Sequence, residues 1–310
     1  MTKKVFMQQV TERVKELSPK ENAQIYCDIF FKNNSTERYG IVVRLSGDEM
    51  VYPTIYIDRF YDRFLKKKET IDDVARHVWE MVNHIEGNKE HYQDFSFDWE
   101  CCENKIVYRL ISKKMNGDLL RETPHIPFLD MAVIFGMVCS HTEEGVESLT
   151  INQSLSDYWN VSVSDLFHAA EKNTPHIFPA QRRNLLELVF SYIGMSNEDL
   201  PDEIANDYPP LQFISNAEGV YGAAVVLYPG YLDKIAEEFS SDLFVIPSSI
   251  HEMLVLPVNL KGVRDEAELP DMVKRINQDY VRDDEVLSDN IYLYNRKNKK
   301  LEIKNDFLSA

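Results

Sequence analysis

The sequence predicts an α+β protein with mixed or antiparallel sheets and flanking helices, organised as one large domain or two lobes. Three observations carry this expectation. Apolar residues recur at helical spacing in some segments and gather into short β-branched or aromatic runs in others, so both element types are expected. Polar or proline-bearing stretches separate the runs, as reversing connections require. The 310 residues, 44% apolar and 27% charged with only 11 glycines and 13 prolines, have the composition of a folded globule with a substantial core.

Val5, Phe6, Val10, Val14 and Leu17 recur at helical spacing and stop before Ser18-Pro19, which predicts an amphipathic helix. The runs 23–31 and 39–45 flank the polar cluster Asn33-Asn34-Ser35-Thr36 and predict a hairpin, with 51–57 as a third strand. Thr70 is the expected N-cap of a helix over 70–85, with Asp72 and Asp73 in the first turn, where carboxylates favour the helix dipole. Its expected apolar face is Ile71, Val74, Val78, Met81, Val82 and Ile85. Residues 104–114 read as a further helix, although Val107, Leu110 and Ile111 also suit a strand.

The continuous apolar run 131–138 predicts a strand, and 162–172, opening on serine, a helix. Thr123-Pro124-His125-Ile126 recurs as Thr174-Pro175-His176-Ile177, and both copies read as loops; no third copy supports a solenoid. A helix is expected over 182–193. The stretch 197–207 carries five acids, Pro201 and no base, a composition that resists burial. It sets the expected organisation: an N-terminal α+β lobe over 1–180, a helical and acidic connector over 181–207, and a C-terminal α+β lobe over 208–310. In that last lobe 211–215 and 220–227 read as strands and 230–239 as a helix. Residues 243–246 and 253–256 read as strands fenced by Pro247 and Pro257, 269–280 as a helix, and 291–294 with 301–303 as a terminal hairpin around a basic turn.

With 34 Lys and Arg against 51 Asp and Glu, the formal charge is -17, so approach to a nucleic acid or an anionic membrane begins with repulsion. Neither is expected as a partner. Two basic clusters, Arg59, Arg63, Lys66, Lys67 and Lys68, and Arg296, Lys297, Lys299, Lys300 and Lys304, read as solvated surface. Charges interrupt the first residues every few positions, unlike a signal peptide, and the longest apolar run, 131–139, is about half of what a membrane span needs. A cytoplasmic protein is expected. Cys27, Cys101, Cys102 and Cys139 lack metal-ligand spacing and include an adjacent pair that rarely closes on itself, so reduced thiols are expected.

The phrases YPTIYIDRFYDRFL at 52–65, FLDMAVIFGMV at 128–138, NTPHIFPA at 173–180, AAVVLYPGYLDKIAEEF at 223–239, VIPSSIHEMLVLP at 245–257 and VLSDNIYLYN at 286–295 together resemble a bacterial family, domain of unknown function 5688 (DUF5688). The resemblance runs in order over nearly the whole chain. It implies an intracellular bacterial protein of gut or rumen Gram-positive type and brings with it no activity, cofactor or catalytic residues.

No Walker loop, Gly-x-Gly-x-x-Gly fingerprint, His-Glu-x-x-His, Gly-x-Ser-x-Gly elbow or calcium loop occurs, so no cofactor is expected and whether the protein is an enzyme stays open. The best chemical cluster is Ser248, Ser249, His251 and Glu252, a hydroxyl, an imidazole and a carboxylate as nucleophile, base and orienting group. Spacing weighs against it: in a strand the Cβ atoms of Ser249 and His251 lie roughly 7 Å apart, and in a helical turn Ser249 and Glu252 form a capping box. His251 is then dispensable for folding. His77, Glu80 and His84 share one side of a helix, but i and i+7 are roughly 10 Å apart along the axis, and no metal is expected. His125 and His176 read as loop residues. Tyr52, Tyr56, Phe60, Tyr61 and Phe64 stand close to Arg59 and Arg63, a mixture found in interaction surfaces, although core packing accounts for most of the rings. Tyr56, Arg59, Phe60 and Arg63 are the candidate partner-binding residues. The leading functional expectation is a non-catalytic binding or regulatory protein with another protein as partner. Its rival is a hydrolase using Ser248 or Ser249 with His251 and Glu252.

Overall fold

A computed structural model describes residues 1–18, 23–44, 54–87, 97–142, 145–184, 211–259 and 269–304. It is an α+β fold in which every described strand pair is antiparallel. The chain divides into two compact units, Met1–Ser96 and Phe97–Ala310. The division expected at 181–207 lies inside the second of them.

In the first unit, α1 (Lys3–Leu17) starts where the Thr2 hydroxyl accepts from the Val5 amide; of the apolar positions expected to recur, Phe6, Val10 and Val14 are buried together with Met7, while Val5 and Leu17 are exposed. Strands β1 (Gln24–Phe31), β2 (Glu37–Arg44) and β3 (Thr54–Tyr56) form a meander in that order, the first connection turning through Asn34 in the left-handed region at φ 58°. Helix α2 (Asp58–Leu65) leads to α3 (Ile71–Gly87). Ahead of α3, the Asp73 amide donates to the Thr70 hydroxyl at 3.2 Å and the Thr70 amide to the Asp73 carboxylate at 2.9 Å, a reciprocal cap. The Thr70 hydroxyl and amide hold the Asp73 carboxyl below its ordinary range. Val74, Val78 and Val82 of α3 and Phe6, Val10 and Val14 of α1 close over Ile25, Ile41, Val43 and Ile55 of the sheet. Met81, expected on the apolar face, is 46% exposed instead, because it points away from this core.

The second unit opens with α4 (Trp99–Cys102) and then β4 (Ile106–Ser112), where a helix was the first reading. All seven residues of β4 are buried, so its two faces are both covered and no alternation marks it as a strand. After α5 (Gly117–Arg121) come β5 (His125–Phe128), β6 (Met131–Thr142) and β7 (Gly145–Thr150). The long β6 pairs with β4 on one edge and with β5 and then β7 on the other. Helices α6 (Gln153–Trp159) and α7 (Val163–Ile177) follow, the latter opened by a Ser162 and Asp165 capping box.

The Thr-Pro-His-Ile copies are not two loops. The first enters β5 at His125, and the second is the last turn of α7, with Pro175 inside the helix. There the Thr174 hydroxyl donates to the Ala170 carbonyl at 2.6 Å and accepts the Tyr108 amide at 3.1 Å, tying the helix end to β4.

The second sheet runs β13-β12-β10-β11-β9-β8, from β8 (Ala180–Asn184), β9 (Gln212–Asn216), β10 (Leu243–Ser249), β11 (Glu252–Pro257), β12 (Tyr292–Asn295) and β13 (Lys300–Ile303). Residues 182–184, expected in a helix, are strand; the rest of that helix and the acidic stretch lie outside the described residues. The expected strand over 220–227 is a 3-10 helix, Gly222–Leu227. A Cβ on Gly222 would lie 2.1 Å from the Ser215 hydroxyl and 2.4 Å from the His251 carbonyl, so glycine lets the chain close on β9 and turn instead of extending. Helix α8 (Tyr231–Phe239) precedes β10, and Val273 of α9 (Leu269–Tyr280) packs on Phe244, Ile246, Leu256 and Ile291. No disulfide joins the four cysteines, all of which are described. Among the described residues no helix is long and apolar enough to cross a membrane.

Candidate functional site

Residues 248–252 close the β10–β11 hairpin, with a register shift between Pro247 and Ser249. The expected helical capping box is replaced by a strand turn, because β10 and β11 pair up to this point and leave no room for a helical turn. The Ser249 hydroxyl accepts the His251 amide at 3.0 Å, while Glu252 receives the Ser248 hydroxyl at 3.0 Å rather than reaching back to Ser249. On the imidazole, Nδ1 accepts the Tyr221 amide at 3.1 Å, so the ring's proton is on Nε2, and Nε2 lies 3.7 Å from a Glu285 carboxylate oxygen. Glu285 is also paired with Arg282 at 3.1 Å. The His251 carbonyl accepts the Ser215 hydroxyl at 2.8 Å. Neither serine hydroxyl is bonded to a ring nitrogen of His251. The residues adjacent in sequence are therefore fastened to β9, to Tyr221 and to Glu285, not to each other as nucleophile and base.

These contacts make a stability prediction. Ser249→Ala is expected to cost about 0.5 to 1.5 kcal/mol, and His251→Ala about 1 to 3 kcal/mol, because the Tyr221 amide then loses its acceptor. Urea unfolding measures both, and unchanged midpoints in the two variants would show that the turn does not depend on these side chains.

The aromatic and basic residues of 52–64 separate in space. Tyr61 and Phe64 are half-buried and pack against the core at Phe6, with ring centroids 5.3 and 4.8 Å away. Tyr56 stands on β3, edge-on to Phe30 at 6.0 Å with the Lys32 ammonium 4.4 Å from its ring centre. Arg59 is exposed, and Tyr52 lies outside the described residues. Phe60 and Arg63, from α2, meet His77, Glu80, Met81 and His84, from α3, around a groove of about 570 Å³. Glu69, in the connection between the helices, receives Arg63 at 3.0 Å and lies 3.4 Å from His77, so it fastens both walls. A larger groove of about 1050 Å³ lies between α1 and the α2–α3 corner, but its Arg13 is already bonded to Asp72 at 2.6 Å and to Glu16.

His77, Glu80 and His84 thus share a groove wall, and among the described residues no three His, Cys, Asp or Glu side chains are grouped to hold a metal. His125 is placed by an Nδ1 contact of 2.9 Å to the Thr123 carbonyl, and His176 is exposed near the end of α7. Sequence reasoning missed Met81, read as core, and the partners of His251, which come from segments 30 and 34 residues away on either side. No local pattern joins such positions.

The fold and this surface define an α+β protein with a grooved helical face and no assembled triad at its serine-histidine turn. The chain belongs to the family of unknown function DUF5688, whose model matches residues 3–296. No curated protein and no solved structure matches it.

Proposed function

We propose that the protein is a non-catalytic binding or regulatory protein of the bacterial cytoplasm, and that a segment of another protein docks in the groove between α2 and α3. The observation that carries this reading is the meeting of Phe60 and Arg63 with Met81, a large apolar side chain left 46% exposed among ionisable neighbours. A flexible thioether and an aromatic ring accept an apolar anchor, and the surrounding charges select its flanks. Hydrolysis is set aside because both ring nitrogens of His251 face groups other than Ser248 and Ser249.

The test places a photo-crosslinking residue at position 81 and irradiates living cells. A discrete protein adduct is expected, and Arg63→Glu, which also gives up the bond to Glu69, should reduce its yield about tenfold under conditions where the variant is shown to be folded. The absence of an adduct, or one indifferent to Arg63→Glu, would overturn the proposal.

A further inference from the structure

Strand β4 carries a charged side chain, Arg109, between Val107 and Ile111 on one face of its sheet. The residue is 6% exposed. A guanidinium in such surroundings is stable only when its charge and its five N–H donors are met, normally by a carboxylate. Among the described residues no carboxylate pairs with it. Its side chain donates from Nη2 to the Ser148 hydroxyl, and it is both hydrogen-bonded to Tyr221 and placed over that ring, whose centre is 4.3 Å from Cζ. Burial pushes the guanidinium below its ordinary pKa, opposed chiefly by Tyr221. The nearby Cys139 thiol does not supply the missing charge, since burial pushes its own pKa up and keeps it protonated.

The surroundings are shaped to hold this side chain. Arg109 reaches across β6 to Ser148 on β7, and it does so over Gly136, where a Cβ would stand 2.7 Å from Nη2 and 2.9 Å from Cζ. Tyr221 is held in the left-handed region at φ 52°, a conformation costly for a bulky residue, by the hydrogen bond its amide donates to His251 Nδ1 and by the close packing of Gly222. Ser148 and the Tyr221 side chain both hydrogen-bond the guanidinium, and both are neutral, so among the described residues its charge is met by no carboxylate. Ser148 and His141 are exposed, so the end of the side chain lies towards solvent at the β6–β7 edge.

We propose that Arg109, Tyr221 and Ser148 form a binding site for a small oxyanion, a carboxylate or a phosphate group carried by a ligand, which supplies the counter-charge that no described residue provides. A planar fork with one hydroxyl beside it matches the two oxygens of such a group. The chain's formal charge of -17 makes general attraction of anions unfavourable, so binding here reports this site.

The experiment uses the full chain and follows the unfolding midpoint and heat of binding while sodium phosphate or sodium acetate replaces sodium chloride at constant ionic strength. At least one oxyanion is expected to raise the midpoint saturably in the millimolar range where chloride does not, and the arm that responds identifies the group. Ser148→Asp, at an exposed position, places a carboxylate beside Arg109. It should raise the ligand-free midpoint and abolish the response. Arg109→Met should abolish it too, and Arg109→Lys should weaken binding about tenfold. No saturable response in the wild type, or a response that survives Ser148→Asp, would overturn the proposal even if Arg109→Met fails to fold.

Discussion

Phe6→Ala is expected to lower the stability of the first unit by about 3 to 5 kcal/mol, as deletion of a fully buried aromatic ring does. Phe6 is 0% exposed, touches Tyr61 and Phe64 of α2, and stands among valines of α1 and α3 over the sheet. Removing the ring loses its transfer free energy and leaves a void that three helices and a sheet, already close-packed, fill only in part. Set against total stabilities of about 5 to 15 kcal/mol, that loss is large. Val5→Ala, one position earlier on the exposed side of the same helix, is expected to stay within about 0.5 kcal/mol. Denaturant unfolding, followed by a probe in residues 1–87, gives both values. Equal effects at the two positions would mean that α1 does not pack as described.

Helix α1 and the cap of α3 are legible because their causes are local. Phe6, Val10 and Val14 recur with the helix's own period, and Thr70 and Asp73 are three residues apart and bond each other. β4 is illegible for the opposite reason: what makes it a strand is pairing with β6 and cover on both faces, neither of which leaves a period in the residues 106–112. Pro175 misleads because proline is read as a helix breaker, whereas the last helical turn of α7 tolerates it beside a threonine whose hydroxyl bonds back to Ala170. Gly222 carries a signal without an address, since a glycine shows that something approaches the backbone but not that it is Ser215 and the His251 carbonyl.

The candidate sites divide in the same way. That Phe60 and Arg63 share one turn of one helix follows from their spacing, whereas the groove they line with Met81 exists only once α2 and α3 are side by side. Ser248 to Glu252 suggest chemistry by adjacency, yet adjacency in a hairpin sends alternate side chains to opposite faces and each finds a different partner. Arg109, between apolar neighbours, reads as one polar interruption of a short apolar run. That no carboxylate among the described residues pairs with it becomes visible only once its neighbours in space are known.

Asp130→Ala is expected to destabilise the second unit by on the order of 3 kcal/mol, since hydrogen bonds to a charged group count for about 1.5 to 3 kcal/mol each and are not additive. Asp130 sits in the two-residue connection of the β5–β6 hairpin, next to Leu129 at φ 57°. One carboxylate oxygen accepts the Ser288 hydroxyl at 2.6 Å and the Asn290 amide group at 3.0 Å; the other accepts the Tyr292 hydroxyl at 2.6 Å. The sheet of β4 to β7 is thereby tied to β12 in the other sheet of the same unit, and Tyr292 is 0% exposed, so its hydroxyl finds no water when Asp130 is removed. Tyr292→Phe removes donor and need together. It should therefore cost less than Asp130→Ala, and the double variant should fall short of the sum by about 1 kcal/mol or more. Burial first, and then the neighbouring carboxylate, push the Tyr292 phenol above its ordinary pKa. The folded state thus holds the neutral phenol more firmly than the unfolded chain does. This contribution is fully present below about pH 10, where a tyrosine of the unfolded chain ionises, and is lost as the pH rises above it. Tyr292→Phe should accordingly flatten the alkaline fall in stability. An additive double variant, together with an alkaline profile unchanged by Tyr292→Phe, would show that Asp130 does not bind the two sheets through this hydroxyl.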